Sequence, residues 1–318
     1  MRAIQMTAPR TMDFVETAKP TVRSGEALVR MQEVAICGSD LVSYLGTQPF
    51  KYPLAIGKPA HECVGTIVES DIAGFSPGDR VLYFPPRQDA LRELAIAENA
   101  SQILKLPAHG DISHWLLAQL LGTVIHSARL LGSVLGERVA IIGQGPVGQL
   151  WNALLRNLGA RTIIGIDMVP ERLEVSPRMG ATHALRNTGP DVITSVRDLT
   201  GGRGADIVIE AAGYTSAHQL MFELVRQDGR ICMFGHLKPL NSEIPIYRWY
   251  ERKAQVITSW RPDVEGDIGL ALELIEQKRI DVIPILTHRF PFSQVHEAYE
   301  LFAERRDGCI KVIIDFDE

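Results

Sequence analysis

The segment Gly143-Gln144-Gly145-Pro146-Val147-Gly148 constrains the fold more than any other part of the chain. It follows an apolar run at 139–142. It opens a stretch in which Val147, Leu150, Trp151, Leu154, Leu155 and Leu158 recur at helical spacing, with Gly159 where a C-cap belongs. A buried strand, a G-x-G-x-x-G turn and an amphipathic helix, in that order, are the first βα unit of a dinucleotide-binding parallel sheet. Gly143 permits the tight turn, Gly145 lets the backbone approach a pyrophosphate, and Gly148 lets the helix lie close to the sheet. Pro146 and Val147 belong to the same cofactor-binding turn, where free N–H groups and the positive helix end face the anion.

Further strands are expected at 162–167, 206–210, 230–234 and 255–258, with a helix at 216–226. Strands alternating with amphipathic helices give a doubly wound parallel sheet, a Rossmann α/β domain. Asp167 ends the second strand, near the position from which an acid reaches the adenine ribose. Its carboxylate accepts hydrogen bonds from a 2′-OH and repels a 2′-phosphate, which favours NAD over NADP. Arg172, five residues on, pulls the other way.

Before residue 119 the chain has another character. Short strands at 27–36, 64–68 and 80–84 are separated by turn signals such as Pro77-Gly78-Asp79, as in a compact β-rich domain. Near the end, Ser293 is expected to cap a helix with the stripe Val295, Ala298, Tyr299, Phe302 and Ala303, and 310–316 to close the chain as a strand. The expected division is 1–118 with 261–318 in one domain and 119–260 in the other. The net charge of −5 argues against a nucleic-acid partner. The longest uncharged stretch, 112–128, holds two His, two Ser and a Gln, so no membrane span is expected. With no targeting pattern at Met1, the expected location is the cytoplasm.

The cysteines stand at 37, 63, 232 and 309, with no C-x-x-C pair and no disulfide framework. Cys63, Cys232 and Cys309 read as small buried hydrophobes. Trp115, Trp249 and Trp260 read as core or interface residues. Cys37 with His61 and Glu62 offers thiolate, imidazole and carboxylate, an acceptable catalytic zinc set. Their wide spacing leaves the metal open on the residues alone.

The chain resembles the medium-chain dehydrogenase/reductase family, in its zinc-dependent alcohol and polyol (sorbitol-like) dehydrogenase branch. The matching pieces are Cys37-Gly38-Ser39-Asp40, His61-Glu62-x-x-Gly65, Pro77-Gly78-Asp79-Arg80-Val81, the glycine turn, Gly204-Ala205-Asp206-Ile207-Val208-Ile209-Glu210 and Lys311-Val312-Ile313-Ile314. The resemblance implies a GroES-like β-rich catalytic domain beside the Rossmann domain. It implies Cys37, His61 and Glu62 around a catalytic zinc, and Ser39 as the hydroxyl that takes the alcohol's proton. It implies Thr123 beside the nicotinamide, Arg172 beside the adenosine ribose and Lys311 near the pyrophosphate. A homodimer or homotetramer through the Rossmann domains follows from fold analogy.

Three departures from the family stand out. Residues 84–107 contain no cysteine, so a second, structural zinc is not expected. Gln119 occupies the place of a third ligand, where relatives carry Cys, Glu or Asp; a neutral amide oxygen is a poorer zinc ligand. Val42 replaces a histidine of the outer proton relay. The expected function is zinc-dependent hydride transfer between NAD(H) and a secondary alcohol or polyol, or the corresponding ketone. The alternatives are a zinc-independent NAD(P)H reductase of the same fold, acting on a carbonyl or activated double bond, and a non-catalytic nucleotide-binding protein, against which Ser39 argues.

Overall fold

The computed structural model of the protein describes residues 1–236, 241–259 and 262–316; the expected role of Trp260 lies outside these residues. The chain divides into two compact units. Met1–Leu120, Val264–Ile275 and Leu286–Glu318 form one; Leu121–Asp263 and Glu276–Ile285 form the other. The expected boundary near 261 is therefore interrupted, because 276–285 return to the second unit. Ile280, Val282 and Ile285 are buried, and the Arg279 carbonyl accepts from Asn157 Nδ2 at 3.0 Å.

The first unit begins with a hairpin, β1 (Arg2–Ala8) and β2 (Thr11–Glu16). Then come β3 (Ala27–Ala35), α1 (Asp40–Tyr44), β4 (Glu62–Ser70), β5 (Arg80–Tyr83), β6 (Leu94–Ala97) and β7 (Ile103–Lys105). Helix α2 (Ile112–Leu131) is shared between the units at Leu120.

The second unit continues with β8 (Arg138–Ile142), α3 (Pro146–Asn157), β9 (Thr162–Asp167), α4 (Pro170–Val175), β10 (His183–Arg186) and α5 (Asp191–Leu199). It is completed by β11 (Ala205–Glu210), α6 (Thr215–Leu224), β12 (Val225–Met233), α7 (Ile246–Arg252) and β13 (Gln255–Thr258). The chain ends with α8 (Gly269–Glu276), β14 (Leu286–Pro291), α9 (Val295–Glu304) and β15 (Lys311–Asp315).

In the second unit the strand order is β10-β9-β8-β11-β12-β13, all parallel. The order reverses between β8 and β11, which is the switch point of a Rossmann sheet. Strands β8, β9 and β11 are apolar almost throughout, as a sheet covered on both faces requires. In the first unit the main sheet runs β14-β15-β3-β4-β5-β7, with β6 also on β3. Its core includes Met31, Val34, Ile36, Tyr44, Cys63, Val81, Tyr299 and Phe302. Full burial of one such large apolar side chain contributes about 1.5–3 kcal/mol. Helix α9 supplies Val295, Ala298, Tyr299, Leu301 and Phe302 to it. Its cap is Gln294 rather than Ser293, because residues 292–294 form a 3-10 turn ahead of the helix. Glu33 ties the layers together: it accepts from Ser113 Oγ at 2.9 Å and from Arg289 at 2.7 Å, while Arg289 also reaches Asp315 at 2.6 Å. Among the described residues no helix is long and apolar enough to cross a membrane.

Candidate active site

Strands β3 and β4 are antiparallel with Ala35 opposite Glu62. The chain leaving β3 at Cys37 therefore lies beside the chain entering β4 at His61. Ligand atoms of Cys37, His61 and Glu62 all fall within 4.8 Å of one another. Asp40, in the first turn of α1 and 3% exposed, organises both sides of this cluster. Its Oδ2 accepts from the Cys37 N–H at 2.8 Å, and its Oδ1 lies 3.1 Å from His61 Nδ1, an ion-pair contact off the angle of a full hydrogen bond. With Nδ1 turned to the carboxylate, Nε2 is the nitrogen left for a metal. Burial pulls the His61 pKa down, but Asp40 and Cys37 outweigh it and hold the pKa well above the usual imidazole value. A cation bound here would displace that proton.

Glu62 is held from behind. Its Oε2 meets Lys311 Nζ at 2.5 Å, and Lys311 also donates to the Ile36 carbonyl at 3.0 Å. Lys311 is 1% exposed. β15 pairs with β3, and that register brings the Lys311 ammonium to the carboxylate of the candidate cluster, a contact that the expectation of Lys311 near the pyrophosphate did not include. Glu62 Oε1 is buried without a hydrogen-bond donor. So is Gln119 Oε1, because Gln119 Nε2 donates to the His61 carbonyl at 2.8 Å. Two orphaned buried oxygens beside a thiol and an imidazole fit a divalent metal of zinc's character. Among the described residues this is the sole cluster of three such ligands. Ser39 precedes α1, half-buried, and its hydroxyl makes no capping bond. Val42, at the outer-relay position, is buried and apolar.

In the second unit the glycine turn has the expected form. Gly143 adopts φ 99° and its N–H donates to the Ile166 carbonyl at 2.8 Å. A Cβ on Gly148 would lie 1.9 Å from the Gly143 carbonyl oxygen, so the close approach is to the turn itself. Gly145 is the N-cap of α3, Pro146 stands in the first turn, and Val147 follows. Space above Gly145 is open except for Arg172, whose guanidinium nitrogen would sit 3.6 Å from a Cβ there. Arg172 thus reaches the phosphate turn, with 9% exposure. Asp167 is engaged on both oxygens, accepting from Gln144 N–H at 2.6 Å and from Val169 N–H at 2.9 Å. Thr123 lies half-buried in α2, its carbonyl accepting from Ser127 Oγ at 2.9 Å.

The sequence reading missed a buried amide network below the turn. Gln144, Gln149 and Asn152 are 0% exposed. Gln144 Oε1 accepts from Asn152 at 2.7 Å and Ser176 at 2.9 Å, while Gln149 Nε2 reaches the Arg172 carbonyl at 2.8 Å. Gln144 in the glycine turn and two polar residues, Gln149 and Asn152, in the first two turns of α3 were its only sequence signal. Asp40 and the Lys311–Glu62 pair were likewise unread as site partners.

Residues 23–117 match the alcohol dehydrogenase GroES-like domain, and residues 146–277 match the zinc-binding dehydrogenase domain. The chain is 27% identical to the sorbitol dehydrogenase of Bacillus subtilis over 99% of its own length and 97% of that protein's. It is 28% identical to an L-threonine 3-dehydrogenase of Paraburkholderia phymatum, covering 96% of each. Among solved structures, the alcohol dehydrogenase of Thermus sp. ATN1 superposes with a TM-score of 0.88 at 25% identity, covering 99% of this chain and 100% of that one. With both domains matched in order, the chain belongs to the medium-chain, zinc-type alcohol dehydrogenase family.

Proposed function

We propose that this protein is a zinc-dependent, NAD(H)-linked dehydrogenase of secondary alcohols or polyols, holding one zinc per chain. The observation that carries the reading is the cluster of Cys37, His61 and Glu62 within 4.8 Å, with buried oxygens of Glu62 and Gln119 lacking donors. Cys37 and His61 would hold the metal, with Glu62 and Gln119 as oxygen donors. When bound, zinc supplies Lewis acidity toward an alcohol oxygen, and the nicotinamide supplies the hydride acceptor. The chain's own groups do the rest. Asp40 orients His61 and the backbone at Cys37. Lys311 compensates one oxygen of Glu62 and so limits the negative charge that the cluster presents. Ser39 receives the alcohol proton. The buried Val42 gives no onward path at the relay position of relatives, so the proton leaves by another route.

The glycine turn, Asp167, Thr123 and Arg172 are assigned to the cofactor, with Arg172 beside the adenosine ribose and close to Gly145 of the phosphate turn. The relatives named sorbitol and alcohol dehydrogenase support the alcohol class. Fold analogy supports a homodimer or homotetramer.

The test combines metal analysis with cofactor binding. Purified protein should carry about one zinc per chain. Cys37→Ala should lose the metal and alcohol oxidation while NADH titration stays unchanged, because metal and dinucleotide belong to different units. Full turnover by the metal-free variant would sink the zinc mechanism and favour the zinc-independent reductase.

A further inference from the structure

Glu210 closes β11 with its side chain 0% exposed. Its Oε1 accepts from the Ala212 and Gly213 N–H groups at 2.8 and 2.7 Å. Its carbonyl accepts from Phe234 and Gly235 at 2.9 and 2.8 Å. Its Oε2 faces His218 Nε2 at 3.4 Å, and neither of these two buried atoms has a hydrogen-bond partner of its own. The other ring nitrogen, Nδ1, lies 2.5 Å from Ser242 Oγ. The nitrogen facing a carboxylate carries the proton, so Nδ1 accepts from the serine hydroxyl. His218 is itself 0% exposed, so this carboxylate–imidazole–hydroxyl chain offers no base to a substrate.

Its place in the fold gives it a task. A Cβ on Gly143 would meet the Ala211 backbone at 3.1 Å, so the phosphate turn touches the turn after β11. A Cβ on Gly213 would lie 2.1 Å from the His236 carbonyl oxygen, and one on Gly235 2.4 Å from the Gly213 nitrogen. The turns after β11 and β12 are therefore in backbone contact at the C-terminal rim of the sheet. In an open parallel sheet the ligand lies outside that rim at the switch point, here between β8 and β11. Strands β8 and β9 carry the glycine turn and Asp167, the adenosine half. Strands β11 and β12 carry the rim left for the nicotinamide half. Helix α6, through His218, joins this rim to Ser242 in the segment after β12.

We propose that Glu210, His218 and Ser242 form a positioning relay that fixes the turns after β11 and β12 against the nicotinamide half of the dinucleotide. The proposal rests on the reading of this unit as a nicotinamide-dinucleotide site. It assigns His218 and Ser242 no contact with the reacting atoms.

The test uses the full chain and two probes, NADH and ADP-ribose, which lacks the nicotinamide. Ser242→Ala removes one hydroxyl; Ser242→Thr keeps it. Loss of the hydroxyl's short contact to His218 Nδ1, with its longer one to Thr215 Oγ1 at 3.4 Å, predicts NADH binding weakened about fivefold in Ser242→Ala, ADP-ribose binding unchanged, and NADH binding restored in Ser242→Thr. His218→Gln, whose amide can donate toward Glu210 but whose oxygen does not occupy the Nδ1 position facing Ser242, should repeat the Ser242→Ala result. Equal weakening of both probes would reduce the relay to a general structural role and overturn the proposal, as would unchanged NADH binding in Ser242→Ala. A wild-type protein that binds neither probe would overturn the dinucleotide reading itself, and the relay with it.

Discussion

Lys311 Nζ and Glu62 Oε2 stand 2.5 Å apart with both side chains almost without solvent, 1% and 2% exposed. The pair joins a residue near the chain's end to one at the start of β4. It places the lysine ammonium behind the carboxylate of the candidate metal-ligand cluster.

Removing one member of such a pair leaves an uncompensated buried charge. Lys311→Met is therefore expected to cost about 3–5 kcal/mol of stability, while Lys311→Met combined with Glu62→Gln should cost much less. Denaturant unfolding of the two variants checks this. Equal losses would show that packing of the lysine stem, and not the charge, is what matters.

Asp167 should favour NAD well above tenfold, since losing a charged hydrogen bond costs roughly 1.5–3 kcal/mol and repulsion of a 2′-phosphate adds to it. The structure adds a second consequence. Asp167 Oδ2 also holds the Gln144 N–H of the glycine turn. Asp167→Ser is thus expected to narrow the gap by improving NADP use and also to weaken NAD use. Values of kcat/KM for both cofactors decide it; equal use by the wild type would place Asp167 away from the ribose.

Gly148→Ala should open the phosphate turn, because its Cβ would fall 1.9 Å from the Gly143 carbonyl oxygen, a backbone atom that cannot swing aside. Overpacking of this kind costs about 1–3 kcal/mol. NADH affinity should fall by an order of magnitude or more while zinc content is unchanged. Wild-type NADH binding by this variant would contradict the turn geometry.

Asp206 supplies a pH test in the dinucleotide unit. Burial pushes its carboxyl pKa up, but the Arg138 N–H, at 2.8 Å, and Arg226 Nε, at 2.6 Å, outweigh this and hold it below the usual value. A depressed folded pKa contributes stability above the unfolded value, lost as pH falls through the folded one. Asp206→Asn should therefore cost about 1.5–3 kcal/mol at pH 7. The cost should shrink toward zero as pH falls below the usual carboxylate range. Unfolding curves at pH 7 and in acid give the comparison; a pH-independent difference would be evidence against the ionic role.

Local signals carried much of this in the sequence itself. Strand Thr162–Asp167 has the bounds that its pattern predicts, because a parallel strand buried on both faces reads as a largely apolar run. The glycine turn was legible because its conformation depends on residues adjacent in the chain. Cys37 and His61 were legible as ligand types and by resemblance. The tertiary structure alone decided what stands behind them. Lys311 compensates Glu62, 249 positions away, because the pairing of β15 with β3 sets its neighbours. Asp40 reaches His61 only once β3 and β4 are in register. Glu210, His218 and Ser242 are ordinary residues in the sequence and meet only at the rim where β11, α6 and the segment after β12 converge. A buried charge or imidazole finds its partner through sheet register and helix packing, which are non-local, and no spacing along the chain encodes them.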